Sequence, residues 1–178
     1  MALVNCRECG REVSTSALAC PHCGAPRPGD QTWGGTGFEW QSSQTFLGYP
    51  LVHVAFGKDA RGKWRVARGV IAIGQFGVGL ITVAQFGVGL LFGFGQFILG
   101  FTALAQVAIA LYLGVGQIAT GYAAVGQLVL AHYGLAQVGW ATHLWSPKQR
   151  DPQAVEYFHH LLKSLKYWIY PFGKTIPG

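Results

Sequence analysis

The middle of this chain carries no formal charge: between Gly69 and Pro147 there is no Lys, Arg, Asp or Glu. Over all 178 residues only 11% are charged, whereas 51% are hydrophobic. Monomeric soluble proteins display a mixed charged exterior, so this scarcity points either to lipid or to an unusual mode of packing. Cysteine is absent after position 23, which leaves no disulfide framework for the body of the protein. A basic leader followed by an apolar core and cleavage site is missing as well, so export is not expected and a reducing, cytoplasmic setting is. Carboxylates are few. Asp30, Glu39, Asp59, Asp151 and Glu156, with those of the N-terminal segment, do not pair at a plausible site, and the uncharged stretch adds only His132 and His143. No catalytic constellation emerges, and an enzyme is not expected.

What the chain does have is cysteine at one end. Cys6-Arg7-Glu8-Cys9-Gly10 is followed, after a short polar connection, by Cys20-Pro21-His22-Cys23-Gly24. A two-residue spacer lets both sulfurs of a pair face one ion, and the Gly that follows allows the tight turn that brings backbone amides toward the thiolates. Two such pairs make a closed tetrahedral sulfur site, the arrangement of structural zinc, with no open position for catalysis. Cys6, Cys9, Cys20 and Cys23 are therefore the expected Zn²⁺ ligands, and His22 is expected as an exposed side chain of the knuckle. The pattern resembles the short zinc-ribbon modules found at the N-termini of many bacterial and archaeal proteins, over about residues 4 to 26.

The uncharged region is rich in Gly, of which the chain holds 26, and is periodic. Glutamine recurs at Gln75, Gln85, Gln96, Gln106, Gln117, Gln127 and Gln137, each preceded by Gly or Ala. Two residues before each glutamine stands a large apolar residue (Ile73, Val83, Phe94, Leu104, Val115, Val125, Leu135), and another follows it directly. Large and small residues keep to separate columns with the period of two that a strand requires. The spacings alternate near 10 and 11, and a two-sided coil then takes a double repeat of about 21 residues. The expected fold is mainly β: a β-solenoid in which the glutamines on each side form an inward ladder, each amide donating and accepting along the stack.

The competing fold is a multi-pass α-helical membrane domain, since the stretch is long enough for three spans of about 20 residues. No charged or proline-containing loop divides it, and a glutamine period near 10.3 drifts around a helix by some −45° per repeat, which would spiral polar groups across the lipid-facing surface. The recurring units, as in Ile71-Ala72-Ile73-Gly74-Gln75-Phe76-Gly77, together with Pro50-Leu51-Val52-His53-Val54-Ala55-Phe56-Gly57 and Arg65-Val66-Ala67-Arg68-Gly69, resemble a group of bacterial proteins with AIGQ-like repeats. That resemblance covers roughly residues 48 to 146, and it implies a β-solenoid and no activity.

The remaining segments complete a division into a zinc ribbon (1–26), a linker (27–47), a β-hairpin with the glutamine repeats (48–147) and a C-terminal amphipathic helix and tail (148–178). The segment 25–47 is rich in Gly, Pro, Ser and Thr, with Trp33, Phe38 and Trp40 able to tether it. The segments 51–56 and 63–67 flank turn residues 57–62, which reads as a hairpin. Its basic residues Lys58, Arg61, Lys63, Arg65 and Arg68 lack an accompanying nucleic-acid motif, and a solvated face is the simpler reading, with nucleic acid an unfavoured partner. Asp151-Pro152 offers a cap and a first helical residue. Val155, Phe158, Leu162, Leu165 and Ile169 would then share one face, with Lys163 and Lys166 away from it and an end before Pro171. His159 and His160 point to different faces and do not suggest a shared metal site.

The expected function is that of a non-enzymatic structural protein that associates with itself, as a filament or scaffold, through stacking of solenoids. The alternative is a small integral membrane adaptor with a cytosolic zinc ribbon.

Overall fold

The computed structural model describes residues 2–169, with side chains described as far as Leu165. It divides into two compact units, residues 1–37 with 57–64 and residues 38–56 with 65–178.

In the first unit β1 (Leu3–Asn5) and β2 (Glu12–Ser14) form an antiparallel pair, with Val4 opposite Val13. Residues 57–64 belong to this unit. The amide of Thr36 donates to the carbonyl of Lys58 at 3.1 Å, and Gly35 bridges Asp59. Gly35 has φ +109°, and a Cβ there would overlap the Lys58 carbonyl oxygen. Only glycine accepts both the conformation and the approach.

The second unit is mainly β. β3 (Phe38–Gln41) pairs antiparallel with β6 (Val52–Phe56), and β6 pairs parallel with the start of β7 (Val66–Trp145), Val52 opposite Ile71. A short ribbon of β4 (Thr45–Phe46) and β5 (Tyr49–Pro50) lies between β3 and β6 in sequence and turns through Leu47 and Gly48, both at positive φ. The expected hairpin between 51–56 and 63–67 is thus corrected: β6 and β7 run parallel, and the turn residues form an excursion that folds with the first unit. Likewise the stretch 27–47 is more than a linker, since it supplies β3, β4 and part of the cysteine unit.

β7 is continuously extended for 80 residues. Laid straight it would reach about 260 Å at ~3.3 Å per residue. Instead the chain returns to its own preceding repeat. Phe76 stacks on Phe86 with ring centroids 5.7 Å apart, and Phe86 on Phe97 at 6.4 Å. A second column runs Phe101, Tyr112, Tyr122, His132 at 5.6, 6.3 and 5.2 Å. In every one of these pairs the partners come from consecutive repeats. The expected coil of two repeats is corrected accordingly: across a two-sided coil of that kind, residues one repeat apart would sit on opposite sides instead of in contact.

Within each repeat the small residues are inside. Ala72, Ala103, Ala108, Ala119 and Ala124 are fully buried, joined by Ile98 and Val129 as the large exceptions. A Cβ on Gly93 would overlap the Ile98 side chain, and one on Gly134 would come within 3.0 Å of Val129, so the stretch before each glutamine and the stretch after it back onto one another. Buried Thr82 satisfies its hydroxyl by donating to the Val88 carbonyl at 2.8 Å. The glutamines lie on the other side of the backbone: Gln75 is half-buried and the six later ones are exposed. The inward ladder is therefore corrected to an outward row. No helix among the described residues is long and apolar enough to cross a membrane, and the repeats are strands, which removes the multi-pass helical alternative.

The helix α1 (Pro152–Ile169) starts where the sequence placed it. The Asp151 carboxylate accepts from the amides of Gln153 at 2.8 Å and Ala154 at 3.3 Å, the arrangement of an N-cap. Its buried face is Ala154 and Phe158, with Leu161 half-buried, while Leu162 and Leu165 are exposed. The apolar face is thus rotated from the expected one. Tyr157 explains the rotation: it lies flat on Tyr133, centroids 4.3 Å apart, and edge-on to Tyr122. Burial beside Tyr112 and the other tyrosines raises its hydroxyl pKa. The expected places of Lys166 and Ile169 fall outside the described side chains.

Candidate metal centre

Each cysteine pair is held by the same backbone device. The amide of Gly10 donates to the Cys6 carbonyl at 2.9 Å, and the amide of Gly24 to the Cys20 carbonyl at 2.9 Å. Both glycines have positive φ, 71° and 75°, which closes each knuckle without a Cβ penalty. Cys6 also donates its amide to the Arg11 carbonyl, and Cys20 to that of Ala25, each at 2.8 Å. These bonds tie the knuckles to the chain on either side and leave the sulfurs facing inward.

All four sulfurs lie within 4.8 Å of one another. Cys6 Sγ is 3.8 Å from Cys23 Sγ, and Cys9 Sγ is 3.7 Å from Cys20 Sγ. A tetrahedral ion with metal–sulfur bonds of about 2.3 Å requires sulfur–sulfur edges of about 3.8 Å. The donor set fits a closed four-thiolate metal site. Cys6 and Cys20 are buried, and Cys9 and Cys23 reach the surface.

The electrostatics favour thiolate at the two buried cysteines. The Cys9 amide lowers the pKa of Cys6, outweighing burial. Burial acts to raise Cys20, but the amides of Cys23 and His22 bring it down to about 6. At Cys23 the Ala25 amide is outweighed by burial and the three neighbouring thiols, and the group is pushed up to about 12. Four sulfurs in one place cannot all be anionic without a cation among them, and a bound metal would supply that charge.

His22 is not part of the cluster; its Nδ1 accepts from the Arg11 guanidinium at 3.0 Å. Around the cysteines the unit builds features that the sequence did not announce. Arg7 stacks over Trp33 at 4.5 Å and donates to the carbonyls of Pro26 and Arg27. A cavity of about 600 Å³ is lined by Arg7, Cys23, Trp33, Lys58 and Arg61 among others. The signal for it, a Trp and an Arg next to turn residues 57–62, is spread over segments that only the fold joins.

The other singled-out residues serve local structure. His53 is buried; its Nδ1 accepts the Arg68 amide at 2.9 Å, so a neutral ring carries its proton on Nε2, facing Glu39 at 3.2 Å. Glu39 also pairs with Arg65. This network holds β3 to β6 and to the start of β7. His132 Nδ1 bonds Thr142, and His143 Nδ1 bonds the carboxylate of Asp151. His159 packs edge-on to Trp145. The seven glutamines are spread one to a repeat, and none belongs to the cysteine cluster. Comparison of the chain with family models, curated proteins and solved structures finds no match in any of the three.

Proposed function

We propose that the protein is a non-enzymatic structural scaffold that associates with itself, built on a β-solenoid of one repeat per coil and carrying an N-terminal module held by structural zinc. Support for the solenoid comes from the ring stacks between consecutive repeats and from the parallel pairing of β6 with β7. A coil this short encloses room for little beyond Gly and Ala, which accounts for the buried columns.

One observation carries the self-association: the repeat region is inside out by size. Alanines and glycines fill its interior while Phe86, Leu90, Phe97, Leu111 and Trp140 stand exposed, Leu111 at 76% and Trp140 at 70%. Contiguous apolar surface on this scale marks an interaction site, since a monomer rarely leaves more than a few hundred Å² of it to water. The outermost strand of the sheet, β3, is exposed at all four residues, and its free edge could template stacking of copies end to end. Zinc suits such a scaffold: four thiolates give rigidity and leave no open position for chemistry.

Electron microscopy and sedimentation of the purified chain in detergent-free buffer test the reading. Assemblies that grow with concentration are expected, and monodisperse monomers at every concentration would refute it. Metal analysis should return one zinc per chain; a folded, metal-free N-terminal unit refutes that part.

A further inference from the structure

Resting on the reading of self-association, we infer that the surface that mates is one particular wall of the repeats, the stretch following each glutamine, and that its occupant is the same wall of a second copy. In this wall exposed large residues alternate with buried ones. Phe97, Leu99 and Phe101 face out around buried Ile98; Ile109 and Leu111 face out around Ala110; Leu128 and Leu130 face out around Val129. The stacked columns of Phe76, Phe86 and Phe97 and of Phe101 and Tyr112 keep these rows in register from coil to coil. The result is a sheet face with apolar side chains in every row.

One long edge of this face is polar throughout, and the other is polar over its later rows. Along one runs the row of exposed glutamines. Along the other, from Tyr112 to Trp145, lies α1, whose Tyr157 packs on the tyrosine column and whose Glu156, His159, His160 and Lys163 line that flank, while the earlier rows end in exposed Leu90 and Leu91. An apolar face bordered by polar groups along one edge and part of the other has the anatomy of a protein–protein interface. Lipid fits poorly, because a protein sunk in hydrocarbon would carry the glutamine row and the charged helix in with it.

The area is adequate. Seven rows about 4.8 Å apart and five residues of about 3.3 Å each give a face of about 500 Å² before side-chain relief is counted. Two copies face to face then bury at least about 1,000 Å², the lower bound for a specific interface. A sheet face without charge can meet its own image by isologous contact, as a two-fold dimer requires.

The test is sedimentation velocity on the full zinc-loaded chain without detergent, comparing wild type with the pair Leu99→Lys and Leu130→Lys, and with Phe94→Lys on the opposite wall. Leu99→Gln with Leu130→Gln gives a milder form, and circular dichroism verifies the strands in each. The wild type should associate, the lysine pair should weaken association at least ~100-fold, and Phe94→Lys should change it little. Association that survives the lysine and glutamine pairs but fails in Phe94→Lys overturns the choice of wall and leaves self-association standing. A wild type that stays monomeric overturns both, and one that instead floats with phosphatidylcholine vesicles assigns the face to lipid.

Discussion

The cysteine unit and the repeat region solve opposite problems. In the first, four side chains converge on one point from both ends of the segment Cys6–Cys23, and the backbone around them is short strands and turns. In the second no single point gathers the side chains, and the order comes from each repeat being laid against the last, ring upon ring. A small unit with few buried apolar residues needs an ion to hold it. A long uncharged one needs only that its interior stay small. The difference teaches where each is vulnerable.

Removing a metal held by the four cysteines should break the comparison most visibly. Structural zinc contributes on the order of 10 kcal/mol to the folding of such modules. Chelation, or Cys20→Ser, should collapse amide dispersion for residues 1–37 and 57–64 in a heteronuclear spectrum while the strand signal of the repeats persists. Loss of both together would show that the two units do not fold separately.

The repeats should respond to size in either direction. Ile98→Ala, at one of the few large interior positions, should cost about 2–5 kcal/mol. Ala119→Leu should cost about 1–3 kcal/mol by overpacking. Denaturant midpoints of the strand signal measure both, and the metal content should not change in either variant.

The helix cap is a smaller lever. Asp151→Ala removes the acceptor of two backbone amides and should lower the denaturant midpoint by less than either interior change, with α1 loosening from the tyrosine column. Burial would raise the Asp151 carboxyl, but His143 and the amides of Ala154 and Gln153 outweigh it and hold the group below its ordinary value of 3.8. Because the folded pKa is the lower one, the stabilisation is complete above that value and drains away as pH falls through the folded pKa. Tyrosine fluorescence followed from neutral pH into acid should report release of α1 below about pH 4, and Asp151→Ala should lose that acid transition.

Smallest of all should be Gln117→Ala. An exposed amide in an outward row should matter by no more than about 0.5 kcal/mol. A loss of several times that would mean that the row is a hydrogen-bonded ladder essential to the fold.

The sequence made the cysteine cluster legible because the two cysteines of each pair are close along the chain: the spacing alone brings two sulfurs together, and the Gly after each pair marks the turn. The Asp151-Pro152 helix start was legible for the same reason. Orientation was not. Alternation in β7 tells which residues share a side of the backbone, but not which side is interior, and the intuition that large apolar residues go inside fails when the enclosed space is only alanine-sized. The face of α1 was misjudged because tyrosines from distant repeats, not its own leucines, set the rotation. The hairpin was misjudged because residues 57–62 carry turn chemistry that serves an excursion, while Val52 finds its partner at Ile71. The cavity beside Cys23 draws on three separated segments and has no local signature.

The one-repeat period has a kinetic corollary. Wherever in β7 the chain is being built, its partner is the repeat just completed, so contacts remain local in sequence however long the array grows. Contacts of this kind favour folding by propagation from a seed, each repeat templating the next, and the β6 edge opposite Ile71 is the natural seed. During synthesis the array could therefore lengthen in step with the emerging chain, exposing one unfinished edge at a time. Adding or deleting a complete repeat in its middle should change the length of the structure and leave its architecture alone.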